Sequence, residues 1–182
     1  MLDAGLELFG TVGFTTVTIE AICAAARLNP RYFYEQFESR EQLLGAVYDR
    51  HVQSVLETVV ETLRHAPSDA RARLERGLQA FVEATLADER AARINYFEIV
   101  GVSRELEARR REILRAYAEM IAAEAAELGA PGRLGAGERR LAAVALVGAT
   151  DGLIIHLLSG GSDREQEAIV ETLLEIFLPA AP

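Results

Sequence analysis

The residues best suited to chemistry lie between positions 29 and 36, and the chemistry they suit is contact with nucleic acid. In the segment NPRYFYEQ, Arg31 precedes three consecutive aromatic residues. This composition suits a buried helix poorly and a helix inserted into a DNA groove well. An arginine that points outward early on such a helix can donate two N–H groups to guanine, with about 1–3 kcal/mol of discrimination. The segment therefore predicts a DNA-recognition helix.

Helix caps on both sides place this segment in a helix-turn-helix. Thr18 suits the N-cap of a helix at about 18–25, and Asn29 suits the N-cap of the recognition helix at about 30–36. Pro30 then occupies the first helical position, where no N–H is required. Two short helices joined by a tight turn are typical of this motif.

The next helix completes the small N-terminal core. Ser39 followed by Gln42 predicts a capping box at its start, and a free Arg40 beside that N-terminus would make a phosphate clamp. Phe33 and Phe37 are four residues apart and are expected to bury. Their burial turns four side chains of the recognition helix outward: Arg31, Tyr32, Glu35 and Gln36.

The charge balance opposes a generally basic DNA-binding protein. The 182 residues carry a net charge of −9 and include no lysine, and residues 1–66 hold five arginines against nine acids. Only the local field of the recognition helix must be positive, however, and arginine is the better residue for forked contacts to phosphate and guanine. The single cysteine, Cys23, excludes a disulfide within the chain and fits a reducing cytoplasm, where we expect the protein to act.

The whole chain is predicted to be an all-α protein with about nine helices. Half of its residues are apolar, and strand-like alternation is nearly absent. Four glycines and a proline predict a loop at 129–137. The other helices are expected at about 1–11, 40–64, 69–87, 89–101, 103–128, 138–158 and 163–178.

The last two helices predict a dimer interface. Small residues permit close approach on one helix, and an apolar stripe runs along the other, although packing within one chain is the alternative. The residues concerned are Ala145, Gly148, Ala149, Gly152, Ile169, Val170, Leu173 and Phe177. A two-fold dimer would place two recognition helices about one DNA turn apart, which predicts a near-palindromic operator.

Two other readings of the chain are weaker. Residues 141–158 contain one charge, Asp151, and approach the length of a membrane span, but His156 among them favours a buried interface helix. His51, His65 and His156 lie on separate helices without paired spacing, and no phosphate-binding loop or zinc spacing is present. We therefore expect no enzyme activity, no metal and no cofactor.

Residues 2–48 resemble the DNA-binding domain of the tetracycline-repressor (TetR) family. The resemblance rests on LDAGLELF at 2–9, SREQLL at 39–44 and, between them, on Gly13-Phe14, Thr18-Ile19, Ile22, Ala25-Ala26, Tyr34 and Phe37. The segment GATDG at 148–152 is similar to the family's dimer-forming helices. The resemblance implies DNA contacts by Thr18, Asn29, Arg31, Tyr32, Tyr34, Gln36 and Arg40. Arg27, in the turn, is a further candidate for a phosphate contact.

The chain departs from the family pattern where sequence specificity would reside. Arg27 stands where the family usually has a glycine in the turn, so a left-handed backbone strain is expected there. Pro30, Arg31 and Tyr32 replace the usual small residues early in the recognition helix. The operator sequence of a relative therefore does not transfer to this chain.

The resemblance also implies a ligand cavity among helices 4–8. A mixed aromatic and apolar lining would suit a hydrophobic or amphipathic effector. The candidate lining residues are Tyr48, His51, Phe81, Thr85, Tyr96, Phe97, Tyr117, Met120, Asp151 and His156.

Together, these patterns predict a sequence-specific transcriptional regulator. We expect a ligand-relieved repressor with a helix-turn-helix DNA-binding domain at 1–48 and a ligand-binding and dimerisation domain at 49–182. The alternative is an all-helical small-molecule-binding or interaction protein that does not bind DNA, which the acidic charge favours. Salt-sensitive binding to a palindromic duplex separates the two.

Overall fold

The computed structural model describes residues 1–127 and 135–178, and every regular element among them is helical. The predicted all-α class is therefore confirmed. Within these residues the elements are α1 Leu2–Thr11, α2 Ile19–Ala26, α3 Pro30–Gln36, α4 Arg40–Arg64, α5 Ala70–Leu86, α6 Glu89–Arg93, a π-helix Ile94–Glu98, α7 Arg104–Glu127, α8 Ala136–Leu158 and α9 Asp163–Phe177.

The chain forms two compact units that do not follow the chain order. Unit 1 comprises Met1–Glu57 and Glu83–Arg109, and unit 2 comprises Thr58–Val82 and Arg110–Pro182. The boundary predicted at residue 48 falls inside α4 and does not coincide with a boundary between these two units. The compact unit that holds the helix-turn-helix extends past it and includes α6 and the π-helix.

The core of unit 1 is built by the first four helices. Phe9, Ile22, Phe33 and Leu43 are fully buried. Phe37 was expected to bury like Phe33 but is only half-buried. It follows the last residue of α3 with an extended backbone (φ −138°), so its side chain leaves the helical face on which Phe33 lies.

The predicted helix at 89–101 is wrong in its second half. An α-helix ends at Arg93, and the chain continues as a π-helix, in which the Ile99 N–H donates to the Ile94 carbonyl at 3.1 Å. Ile94 and Ile99 are both buried. Five residues of α-helix would turn them about 140° apart, whereas a five-residue hydrogen-bonded turn brings them closer to one face.

A glycine lets α1 approach α6 closely. A Cβ added to Gly10 would lie 2.4 Å from the Arg90 Cβ and 2.8 Å from the Arg90 carbonyl oxygen. Only a residue without a side chain fits between the two backbones. An ion pair between Arg90 and Glu7 at 2.6 Å joins the same two helices.

Unit 2 contains the packed pair α8 and α9. Ser162 caps α9 in a capping box with Glu165. Of the predicted loop at 129–137, residues 128–134 lie outside the described part of the chain. Ala136 and Gly137 are helical instead, because Gly135 supplies the N-cap of α8 and its N–H donates to Glu138 at 2.7 Å.

By length and composition alone, α8 could cross a membrane. Its best 18-residue window has a mean hydropathy of 2.0. The same helix carries buried Thr150, and Asp151 lies 4.0 Å from Arg110. Within unit 2, α8 also packs along α9, as expected of a bundle helix with one uncovered apolar face.

Candidate nucleic-acid interface

Helix α3 is anchored by one buried ring and exposes most of its other side chains. Phe33 is fully buried, and its ring contacts Tyr34 edge-on at 5.5 Å. The Arg31 side chain is 83% exposed, Tyr34 is 63% exposed, and Tyr32 and Gln36 are also exposed. The outward face predicted for this helix is therefore present.

Thr18 and Asn29 cap the two helices of the motif as predicted. The Thr18 hydroxyl oxygen accepts from Ala21 N–H at 3.2 Å, and the Asn29 Oδ1 accepts from Arg31 N–H at 2.9 Å. The Asn29 cap uses only the amide oxygen, so its amide N–H groups are donors that suit phosphate oxygens. The Thr18 hydroxyl also hydrogen-bonds the Glu20 carboxylate.

The turn between α2 and α3 has the strain expected at Arg27. Arg27 has φ 56° and ψ 39°, in the left-handed region. Its N–H donates to Ala24 at 3.1 Å, and Leu28 N–H donates to Cys23 at 2.9 Å. These two bonds form a Schellman motif, which usually has glycine at this position. Arg27 is exposed.

Arg31 makes one ion pair on its own helix. Its Nε donates to Glu35 Oε1 at 3.0 Å. An exposed pair of this kind is worth little, so it gives way readily to a better partner. The bond uses Nε and leaves the two Nη groups for a forked contact.

Arg40 is not the free phosphate clamp that the sequence predicted. Its Nη1 donates to the carbonyls of Phe14, at 3.2 Å, and Val17, and its guanidinium lies 4.9 Å from the centre of the Phe14 ring. The acceptors lie 26 and 23 residues away in the sequence, so no local pattern signals them. Arg40 therefore holds the loop before α2.

The capping box at the start of α4 is only partly as predicted. Ser39 Oγ accepts from Gln42 N–H at 3.2 Å, as expected. The Gln42 side chain accepts from Glu38 N–H at 2.6 Å rather than from Ser39. The Gln42 side chain therefore binds the N–H of the residue before Ser39, whereas a capping box would use the N–H of Ser39 itself.

The contact between Glu98 and Phe14 was not predicted from the sequence. Glu98 Oε2 accepts from Phe14 N–H at 2.8 Å, across 84 residues of sequence. Its Oε1 pairs with Arg93 Nη2 at 3.0 Å. No periodicity or cap in the sequence signals such a contact, because it depends on how α1 and the π-helix pack.

Unit 1 brings together buried polar groups from the predicted ligand set. Tyr48, Thr85 and Tyr96 are all buried. The buried Nε2 of His51 has no hydrogen-bond partner within the described ranges. Burial lowers the pKa of His51, against an opposing effect of Asp88, so the imidazole is neutral near pH 7. Phe97 is exposed.

Unit 2 holds the other half of the predicted set. The rings of Phe81 and Tyr117 meet edge-on at 5.6 Å. Burial, with a smaller effect of Asp151, raises the pKa of Tyr117 to about 12. Met120 is half-buried. His156 does not line an interior: its side chain is 63% exposed, and its Nε2 lies 3.1 Å from Glu165 Oε1.

The predicted dimer residues divide into two groups. Ile169 and Leu173 are buried within unit 2, so the prediction that they face a second chain is corrected: the apolar stripe of α9 packs inward. Val170, Phe177 and Ala149 are half-buried. Ala145, Gly148 and Gly152 are exposed.

Among residues 1–127 and 135–178, no group of three or more His, Cys, Asp or Glu side chains is placed to hold a metal ion.

The N-terminal residues match a known family. Residues 1–47 match the family model described as bacterial regulatory proteins, tetR family. No curated protein matches the sequence.

Solved structures of bacterial regulators share the fold of the whole chain. The fatty acid degradation regulator FadR from Bacillus halodurans has a TM-score of 0.85 at 18% identity, covering 98% of this chain and 93% of its own. FadR from Bacillus subtilis, in complex with stearoyl-CoA, has a TM-score of 0.84 at 19% identity, covering 100% and 97%.

A TetR-like transcriptional regulator from Rhodococcus sp. RHA1 has a TM-score of 0.76 at 20% identity, covering 97% of this chain and 90% of its own. At these identities the likeness shows a shared fold. The match at residues 1–47 is to the tetR family of bacterial regulatory proteins, and the chain as a whole has the fold of these solved transcriptional regulators.

Proposed function

We propose that this protein is a repressor that binds a near-palindromic operator as a homodimer and releases it when a small amphipathic molecule binds. The main support for DNA binding is the geometry of α3. Phe33 anchors this helix in the core, and Arg31, Tyr32 and Gln36 are exposed on it. A short helix held in this way can enter the major groove with its side chains at base edges.

The acidic net charge is compatible with this proposal. The ion pair between Arg31 and Glu35 is exposed and weak, so Arg31 can exchange Glu35 for an acceptor on DNA. Exposed Arg27 lies in the turn just before α3. These two arginines supply positive charge where a DNA backbone would approach, and the acids elsewhere on the chain reduce non-specific binding.

The first prediction concerns Arg31. Arg31→Ala should weaken binding to a duplex selected with the wild-type protein by roughly fivefold to 150-fold for each half-site, because a forked contact to guanine contributes about 1–3 kcal/mol. The mutant should also lose the base preference at one position in each half-site. Fluorescence anisotropy over a salt series, together with a repeated binding-site selection, measures both effects.

Arg64→Ala is the matched control, because Arg64 is also an exposed arginine in a same-helix ion pair, with Glu61 at 2.8 Å. It should bind DNA like the wild type. An unchanged base preference in Arg31→Ala would remove α3 as the recognition face. Absence of salt-sensitive duplex binding by the wild type would favour the alternative, a ligand-binding helical protein that does not act on DNA.

We propose a fatty acyl thioester or a similar amphipathic molecule as the effector. One of the similar structures is a fatty acid degradation regulator, FadR, and another regulator of that name contains stearoyl-CoA. In unit 1, His51 supports a ligand with a neutral polar group, because its buried Nε2 has no partner among the residues that the structure describes and its imidazole is neutral near pH 7. A carbonyl or hydroxyl would satisfy that nitrogen without bringing a charge into the interior.

The second prediction separates ligand binding from stability at His51. His51→Leu should weaken stearoyl-CoA binding by about threefold to tenfold, the worth of one hydrogen bond. It should leave the ligand-free protein at least as stable, because it removes a buried nitrogen without a partner. Calorimetric titration and chemical denaturation measure the two effects.

His51→Gln is the control, because its amide can reach the region of the imidazole Nε2 and should retain much of the affinity. Equal binding by all three proteins would exclude His51 as a ligand contact. If operator and ligand sites are coupled, saturating operator must weaken stearoyl-CoA binding by the same factor by which stearoyl-CoA weakens operator binding. Equal ligand affinity with and without operator would exclude the relief mechanism.

A further inference from the structure

We propose that Glu98 is a positioning residue for DNA recognition. Its carboxylate holds the loop that leads into the helix-turn-helix, and it reaches that loop from the π-helix. This inference rests on the proposed function, because its readout is operator binding.

The carboxylate of Glu98 is satisfied on both oxygens. Oε2 accepts from Phe14 N–H at 2.8 Å, and Oε1 accepts from Arg93 Nε at 3.1 Å. The Glu98 side chain is only 13% exposed. Hydrogen bonds to a charged acceptor in such a site are stronger than ordinary ones and fix a geometry as well.

The loop is shaped to receive this carboxylate. Gly13, just before Phe14, has φ +96°, and a Cβ there would lie 3.3 Å from Glu98 Oε2. The left-handed backbone of Gly13 thus allows the Phe14 N–H to approach the carboxylate closely. Phe14 is buried, so its N–H would otherwise be a buried donor far from water.

The same peptide segment is held from its other side by the first residue of α4. Arg40 Nη1 donates to the carbonyls of Phe14 and Val17. Thr18, the N-cap of α2, follows Val17 directly. Glu98 on the amide side and Arg40 on the carbonyl side therefore set where α2 begins relative to α4, and α3 packs on α2.

The π-helix determines whether Glu98 can make this contact. A π-turn contains one more residue than an α-turn, and each α-helical residue rotates the chain by about 100°. If residues 94–98 changed to α-helical hydrogen bonding, Glu98 would turn by about that angle and leave Phe14. Glu98 is the last residue of the π-helix, so the direction of its side chain depends on whether residues 94–98 form π-helical or α-helical hydrogen bonds.

The test compares three variants at Glu98 on a duplex selected with the wild-type protein. Glu98→Ala and Glu98→Asp should bind about tenfold more weakly, since the first lacks the acceptor and the second is one methylene too short. Glu98→Gln should recover much of the affinity, because its amide oxygen can still accept from Phe14 N–H. Amide hydrogen exchange at Phe14 should accelerate in the same order.

Glu89→Ala is the control, because Glu89 is an exposed residue of α6. It should leave both affinity and exchange unchanged. All proteins are compared at a temperature where circular dichroism shows them fully folded, and Glu98→Asp, compared with Glu98→Gln, carries the test if Glu98→Ala does not fold. If the wild type selects no duplex, the proposed function fails. If the wild type binds and the Glu98 variants bind equally well, only the positioning role is overturned.

Discussion

At the scale of single residues, Arg27 occupies a left-handed position at the edge of the recognition face, where glycine is usual. It is the only described residue other than glycine with a positive φ. A side chain in this conformation costs roughly 1–2 kcal/mol, and Arg27 is exposed. Strain at such a position fits a side chain that serves binding rather than stability.

The prediction at this scale is that Arg27→Gly separates stability from DNA binding. Glycine relieves the left-handed strain, which stabilises the folded protein, whereas its greater freedom in the unfolded chain has a smaller, opposite effect. The free energy of unfolding should therefore rise by about 1 kcal/mol. Affinity for the selected duplex should fall, and the slope of log affinity against log salt should flatten by about one unit, for the loss of one phosphate contact. Denaturant unfolding and anisotropy measure these changes.

Arg76→Gly provides the opposite control. Arg76 is exposed inside α5, where glycine should lower the free energy of unfolding by about 1 kcal/mol and leave DNA binding alone. A less stable Arg27→Gly protein would mean that the arginine side chain stabilises the turn. An unchanged salt slope would remove Arg27 from the DNA contacts.

At the scale of elements, the helices begin at well-formed caps, and the start of α9 is sensitive to acid. Glu165 Oε2 accepts from Ser162 N–H at 2.7 Å and from its hydroxyl at 2.8 Å, while Oε1 lies 3.1 Å from His156 Nε2. The Ser162 N–H, then His156 and the Ser162 hydroxyl, lower the pKa of Glu165 to about 2 from a usual 4.5.

This lowered pKa gives a pH prediction with a definite sign. The stabilisation is present above pH 4.5 and is lost as the pH falls toward 2, where Glu165 becomes protonated in the folded protein. Glu165→Gln should therefore flatten the loss of stability between pH 5 and 2, as followed by denaturant unfolding at fixed pH values. Glu167→Gln, at an exposed position on the same helix, should retain the wild-type slope, and equal slopes for all three proteins would contradict the prediction.

At the scale of the whole molecule, α8 leaves an apolar stripe uncovered in unit 2. Leu141 is 70% exposed and Val144 is 52% exposed. Further along the helix, a Cβ added to Gly148 or Gly152 would meet nothing within 4 Å. Small residues between apolar ones permit close helix approach, and we propose that a second copy of the chain covers this face, as a two-fold operator would require.

The corresponding prediction is that Val144→Glu gives a monomer. A buried carboxylate across a two-fold axis faces its own copy, so it should raise the dimer dissociation constant by at least about a hundredfold. Operator affinity should fall with it. Light scattering and anisotropy over a protein concentration series measure both, and Val100→Glu, at an exposed apolar position in unit 1, should stay a dimer. A monomeric wild type would remove the interface.

Much of the fold was predictable because its causes are local. Caps at Thr18 and Asn29 act over two or three residues, and helical periodicity acts over one or two turns. The limits of α3 and α4 agree with the prediction for this reason. The left-handed backbone of Arg27 was also predictable, because Arg27 stands at a turn position where the family usually has glycine. The backbone conformation there depends on the turn itself and not on distant contacts.

Contacts between distant segments were not predictable in the same way. The partners of Arg40 and Glu98 lie 26 and 84 residues away. Arg40 was predicted to bind phosphate but instead hydrogen-bonds the Phe14 carbonyl, and the Phe14 N–H was not predicted as the partner of Glu98. The π-helix arises because Ile94 and Ile99 must both bury, which the periodicity of an α-helix does not allow.

The sequence by itself determined the helices, their caps and the exposed face of α3, because these depend on interactions between residues a few positions apart. Only the tertiary structure decided which side of each helix is covered. It turned Ile169 and Leu173 inward, and it left the small residues of α8 open. It also placed the Glu98 carboxylate against Phe14, because the burial of a face depends on which helices meet there.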